Sequence, residues 1–162
     1  MKAGFSIEYL ADNLKAIDAC AAWDFGQWDV QKKGASLDGA VKALARSARK
    51  DGLPLSVVAM NEKTALPIAM ATLRDKDGSE WPKVSPWVVS VYVHERFRGQ
   101  GIARAMVARM EDEARRLGYE ALYLQADDVA DMYVNLGYEM IDKIKTGLSV
   151  CGTRTLFKKD LV

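Results

Sequence analysis

Val91-Tyr92-Val93-His94-Glu95-Arg96-Phe97-Arg98-Gly99-Gln100-Gly101-Ile102-Ala103 is the stretch on which the fold turns. The apolar run from Trp87 to Val93 reads as a buried strand. Gly101 to Leu117 reads as an amphipathic helix: Ile102, Met106, Met110, Ala114 and Leu117 form its apolar stripe, opposite Arg104, Glu111 and Arg115. Gly118 is a suitable stop. Between strand and helix lies a basic turn with two glycines. The first amides of a helix lack intrahelical acceptors and carry positive partial charge, so such a junction is a ready site for an anion, especially a diphosphate. Gly99 and Gly101 present no Cβ to an approaching ligand, and Arg98 and Arg104 supply charge for phosphate oxygens. The same glycines would also serve a tight turn and nothing more. A dinucleotide fingerprint needs a third glycine where Arg104 stands, and a P-loop needs a Gly-Lys-Ser or Gly-Lys-Thr that is absent.

Working outward, Phe5, Ile7 and Tyr9 alternate with polar residues and predict a first strand. Asp12 is a plausible cap for a helix to about Gln27, with Leu14, Ile17, Ala21 and Phe25 at helical spacing. Gly34 breaks the chain, and Ser36 caps a helix to about Lys50 with Leu37, Val41, Leu44 and Ala48 on one face. Leu55 to Met60 and Leu66 to Leu73 are strands around a polar hairpin, Pro67 marking an irregular or edge start. Asp75-Lys76-Asp77-Gly78 is a turn. After Gly118 come a strand from Ala121 to Gln125, a short helix capped by Asp127 or Asp128, a strand starting at Gly137-Tyr138, and a last strand from Thr153 to Phe157. The order is β, α, α, three strands, then α, β, α, β, β, in one domain over residues 1–162.

The composition bounds the function. Twenty-three basic and 22 acidic residues give a net charge of +1, against a chain built to grip nucleic acid or an anionic membrane. No apolar run approaches the roughly 18 to 20 residues of a membrane span, and no signal core is visible, so a cytoplasmic location is expected. Cys20 and Cys151 read as two free thiols. His94, the only histidine, leaves no recognisable zinc site. On a shared strand Ser90 and His94 lie roughly 13 Å apart, too far for a hydrogen bond, and no Gly-x-Ser-x-Gly supports another serine nucleophile.

With these residues in view, the chain resembles the GNAT acetyltransferase superfamily. Its pyrophosphate signature runs Arg or Gln, two residues, Gly, one residue, then Gly or Ala, and Arg98-Gly99-Gln100-Gly101-Ile102-Ala103 satisfies it. A second segment, Asp127-Asp128-Val129-Ala130-Asp131-Met132-Tyr133-Val134-Asn135-Leu136-Gly137-Tyr138, is similar to the family's second motif: a helix-borne tyrosine, three residues, glycine and an aromatic. The match departs from many members at Ala126, Asp127 and Asp128, where an asparagine is common. The resemblance is most specific from about Trp87 to Tyr138 and extends to the whole chain in element order. It implies a mixed, mostly antiparallel α/β (α+β) sheet of about six or seven strands flanked by about four helices and splayed at its middle strands.

The resemblance also implies a chemistry. The co-substrate is acetyl-coenzyme A, with no metal. Val91, Tyr92 and Val93 pair with its pantetheine arm and supply an oxyanion-binding amide, while Arg98, Gly99, Gln100, Gly101, Ile102, Ala103 and Arg104 hold the pyrophosphate. An acceptor amine attacks the thioester in a ternary complex, and Tyr133 is the group expected to protonate the leaving thiolate. Taken alone, Tyr133 reads more readily as a half-buried aromatic packing a helix on the sheet. Glu80, Asp75, Asp77 and His94 are candidate bases, each readable as a plain loop residue. Trp23, Phe25, Trp28, Trp81 and Trp87 are candidate acceptor-wall aromatics or ordinary core. The acceptor and the choice between monomer and homodimer stay open. Two other functions compete: a coenzyme A-binding module without catalysis, which would need no phenol at the sulfur, and a protein using the turn for another nucleotide.

Overall fold

The computed structural model describes residues 2–77, 80–126, 130–145 and 153–162. Seven strands form one sheet: β1 Phe5–Tyr9, β2 Leu55–Asn61, β3 Pro67–Arg74, β4 Trp87–Val93, β5 Ala121–Ala126, β6 Glu139–Lys145 and β7 Thr153–Asp160. Their order is β1-β2-β3-β4-β5-β7-β6, antiparallel except for β4 beside β5. Four α-helices flank it: α1 Ile17–Asp24, α2 Leu37–Arg46, α3 Ile102–Arg116 and α4 Ala130–Asn135. The element order, the sheet and the helix number are those the sequence predicts.

Alternation sorts the strands between two cores. Leu55, Val57 and Ala59 of β2 and Ala69, Ala71 and Leu73 of β3 pack with the α3 stripe Ile102, Met106 and Met110. Val58 and Met70 point the other way, against Cys20 and Ala21 of α1 and Ala40 and Leu44 of α2.

Several local expectations are corrected. Asp12 does not cap the first helix: two 3₁₀ turns, Leu10–Asp12 and Leu14–Ala16, precede α1. Asn13 interrupts the path at φ −140° and ψ 55°, its side-chain amide donating to the Tyr9 carbonyl at 3.1 Å. A π-turn over Phe25–Asp29 follows α1. Ser36 does cap α2, accepting from the Gly39 amide at 3.0 Å, but the helix stops at Arg46 and Leu37 is 48% exposed. The stop has a cause: the Ser47 carbonyl accepts from the amides of Arg49 and Ser56 instead of continuing the helix. Pro67 starts an interior strand, at a register shift opposite Met60. Glu111, expected on the polar side of α3, is buried: Lys159 Nζ donates to it at 2.7 Å and the Tyr138 hydroxyl at 3.3 Å. Gly78, Cys151 and the capping Asp127 or Asp128 lie outside the described residues. Cys20 is a buried free thiol, pushed up to about 12 by burial and by the nearby Asp24 carboxylate.

Candidate active site

The site begins with an irregularity in β4. Its register against β3 shifts between the pairs Met70–Tyr92 and Thr72–Val89, leaving Ser90 and Val91 opposite Ala71. Ser90 sits at φ +55°, which is uncommon for a residue other than glycine. The extra residue reverses the alternation. Val88 packs in the α3 core, and so do Val91 and Val93, three and five residues on, while Tyr92 packs on the α1–α2 side. The bulge therefore turns the Ser90 side chain towards α1, where its hydroxyl donates to Asp24 Oδ1 at 2.6 Å.

Beside the bulge, β4 leaves β5. Their parallel pairing is recorded at Trp87–Tyr123, and the Tyr123 amide donates to the Pro86 carbonyl at 3.0 Å. Beyond that point no further pair joins the two strands, and a cavity of about 680 Å³ lies along the end of β4 and the turn before α3. Val91 to Val93, Arg98, Gly99, Gly101 to Arg104 and Tyr133 all line it.

Gly99 and Gly101 have φ of +76° and +82°, and no atom lies within 4 Å of where a Cβ would stand. Open space thus faces the backbone just before α3, whose N-cap, Gly101, offers no side chain to the first-turn amides. Arg98 is held inward: its Nε donates to the Val93 carbonyl at 2.8 Å and its guanidinium carbon lies 5.5 Å from the Tyr92 ring centroid. It braces the end of β4 while still bordering the cavity. Gln100 is turned away, its Oε1 accepting from the Ala3 amide at 2.8 Å. Its side chain is not among those lining the cavity, so only its backbone remains available to a ligand there.

α4 brings Met132, Tyr133 and Asn135 to the same space, so this short helix stands beside the cleft, while the strand that follows it is the far edge of the sheet. The Tyr133 ring packs about equally on Tyr138 and Phe157, each centroid 6.0 Å away. Burial raises its phenol above the ordinary value, keeping it protonated at neutral pH, and no partner takes up the hydroxyl among the described residues.

The aromatic candidates divide. Trp23 stacks on Tyr92 at 5.3 Å, and Trp28 meets the same ring edge-on at 6.4 Å while lining the cavity. Trp87 is fully buried core. Of the candidate bases, His94 Nδ1 accepts from the Arg96 amide at 3.2 Å, Glu80 pairs with Arg154 at 3.4 Å, and Asp77 accepts from Gln125. Asp75 accepts from the Ser85 hydroxyl at 2.7 Å. The carboxylate that reaches the bulge is Asp24, which the sequence reading passed over. Its signal was its spacing: it stands four residues after Cys20 and three after Ala21, on the buried stripe of α1. Among the described residues no group of three or more His, Cys, Asp or Glu is arranged to hold a metal ion, and no helix is long and apolar enough to cross a membrane.

The chain belongs to the GNAT acetyltransferase family, whose model matches residues 10–138. An acetyltransferase of Pectobacterium atrosepticum is 39% identical over 59 residues, which are 34% of this chain and 42% of that protein, so the match spans less than half of that relative. Among solved structures, YncA of Salmonella typhimurium, described with its cofactor acetyl-CoA, aligns at TM-score 0.72 and 17% identity over 98% of this chain and 95% of that one. An aminoglycoside 6′-N-acetyltransferase complexed with coenzyme A aligns at 0.75 and 13% identity over 97% of both. At these identities the structural matches speak to the fold.

Proposed function

We propose that this chain transfers the acetyl group of acetyl-coenzyme A to a primary amine by direct attack in a ternary complex. The observation that carries the reading is the position of Gly99 and Gly101, open-faced and left-handed, in the wall of a cavity that Val91 to Val93 of β4 and Tyr133 of α4 also line. In this reading the pyrophosphate lies against the first amides of α3, with Arg104 beside it. The β5-facing edge of β4 past Trp87 has lost its strand partner, and the pantetheine arm takes that place. An amide of Val91 to Val93 then faces the thioester oxygen and stabilises the oxyanion. Tyr133, neutral and with no hydroxyl partner among the described residues, donates its proton to the departing sulfur.

Calorimetric titration with acetyl-CoA tests the binding half. Gly101→Val puts a branched side chain into the open face at a φ that suits glycine, and affinity falls by about tenfold or more. Wild-type affinity in a folded Gly101→Val protein would sink the assignment.

A further inference from the structure

A second cavity, of about 400 Å³, opens on the α1–α2 side of the same bulge. Consecutive residues of β4 border different cavities: Val91 lines the first and Ser90 the second. Beside apolar Leu44, Leu53 and Pro54, the buried polar side chains that line the second, Asp24 and Thr72 among them, offer hydrogen-bond acceptors. Asp24 is 5% exposed and borders the space. Ser90 is the donor that reaches Oδ1, and among the described residues none occupies Oδ2.

Thr72 lies beside it at the end of a directed hydroxyl chain. Ser47 Oγ donates to the Leu44 carbonyl at 2.8 Å, and Ser56 Oγ donates to Ser47 Oγ at 2.7 Å. Each hydroxyl has one hydrogen, so Thr72 must be the donor in its 2.6 Å contact with Ser56. That leaves only lone pairs on Thr72 Oγ1. The rim has the opposite character. Arg46, Arg74 and Lys76 border it against one rim carboxylate, Asp75, already bonded to Ser85.

Acceptors at the bottom suit an ammonium group, and cations at the mouth suit an anion. We propose that this second cavity holds the acceptor, that the acceptor is a small amino-acid-like molecule with an anionic group a few bonds from its primary amine, and that Asp24 takes the ammonium proton. The inference rests on the acetyl-transfer reading above and deepens it. The ammonium gives one proton to Asp24 Oδ2, and its nitrogen attacks the thioester carbonyl across the bulge. The C–N bond forms, the C–S bond breaks, and the thiolate is protonated through Tyr133, which regains its proton as the nitrogen sheds its second. Asp24 returns its own proton to water.

The groups facing Asp24 are consistent with a base. Burial raises its carboxyl above the ordinary value and Asp29 adds to this, while the Ser90 hydrogen bond, Arg74 on β3 and Lys32 after the π-turn act the other way, the net shift being upward. Cys20, on its own helix, stays a neutral thiol.

The test compares α-amino acids with their carboxamides, which keep the amine and lose the anion. The full chain is assayed with acetyl-CoA by free-thiol release, after calorimetry has measured acetyl-CoA binding. The expected result is an amino acid whose kcat/KM exceeds that of its amide by about tenfold or more, a gap that Arg74→Gln narrows through KM. Asp24→Asn keeps an acceptor for Ser90 and lowers kcat by about 10²- to 10³-fold at unchanged acetyl-CoA affinity. The deficit shrinks as pH rises and more of the amine arrives unprotonated.

Equal turnover of acid and amide, or no turnover of any member by a chain that binds acetyl-CoA, overturns the proposal. So does Asp24→Asn with wild-type kcat and pH profile. The acid-to-amide comparison needs no variant, so it decides even if Asp24→Asn fails to fold. A chain that does not bind acetyl-CoA at all refutes the acetyl-transfer reading itself, and calorimetry shows this before any acceptor is added.

Discussion

Tyr133 offers a clean single-atom experiment. Its ring packs against Tyr138 and Phe157, and the residue borders the cavity. Tyr133→Phe keeps the packing and removes the donor. It should lower kcat by about 10²- to 10⁴-fold, nearer the low end because a thiolate leaves readily, with acetyl-CoA affinity unchanged. Wild-type kcat with chemistry limiting would assign the phenol to packing. Asp24 yields a prediction of opposite sign for stability. Its folded pKa is raised, so its contribution to stability is fully present below its unfolded value of 3.8 and is lost as pH rises through the folded value. At neutral pH the buried charge is therefore a burden, and Asp24→Asn should melt at higher temperature than the wild type there, with the gap closing on acidification. Equal melting curves at pH 5 and pH 8 would contradict this. Both residues were equally present in the sequence, yet only Tyr133 was legible. A tyrosine at a motif spacing announces itself, whereas Asp24 acquires meaning only when a bulge brings Ser90 across from another part of the chain.

At the scale of elements, most boundaries followed from periodicity and caps, and the exceptions have local causes. The Asn13 conformation delayed α1, and Ser47 gave its carbonyl to β2 and ended α2 early. Neither is a propensity effect; each depends on a partner outside the helix. Where the signal was local it was sufficient. Ser36 caps α2 on an exposed turn with no other role, so Ser36→Ala should cost about 1 kcal/mol, or about 2–4 °C in Tm for a chain of this size, measured by thermal melting. The resemblance implied a bulge in this strand, and its position is what the sequence concealed. Trp87 to Val93 reads as an unbroken apolar strand, and nothing in it marks Ser90 as the residue where the faces exchange. Ser90→Val should expose that strain: a β-branched residue at φ +55° that also loses the Asp24 contact should destabilise by about 2 kcal/mol or more, read from urea midpoints.

For the whole molecule, one buried carboxylate gathers several elements. Glu113 of α3 accepts from Tyr9 on β1 at 2.7 Å, from Arg109 at 3.0 Å and from Arg116 at 2.8 Å. Those arginines reach on to the Ile7 and Lys50 carbonyls. Burial opposes the Glu113 charge, but the three hydrogen bonds outweigh it and hold the carboxyl below its ordinary 4.5. Its stabilisation is thus present above pH 4.5 and lost as pH falls through the lower folded value. Glu113→Gln should flatten the acid limb of the stability curve, followed by circular dichroism from pH 6 to pH 2; an unchanged limb would place the acid sensitivity elsewhere. The seven-stranded sheet and its splay were legible through the family resemblance, which the glycine-bearing turn and the element order carry. The acceptor side was not, because its polar floor is assembled from α1, α2, β3 and β4.

The break in pairing between β4 and β5 also bears on how the chain reaches this shape. Strands β1 to β4 are ladder neighbours in sequence order, and β5 to β7 form a second set within the last 42 residues, 121–162. In each set a short connection joins one ladder, β2 with β3 and β6 with β7, and such local pairs are quick to find, whereas β1 reaches β2 only across α1 and α2. The join between the sets is thin, resting on Trp87, Tyr123 and the α3 face. Refolding should therefore produce two protected sheet fragments before they dock. Pulse-labelled hydrogen exchange would then show the Tyr123 amide, bonded across the join to Pro86, gaining protection after the amides of β2, β3 and β7.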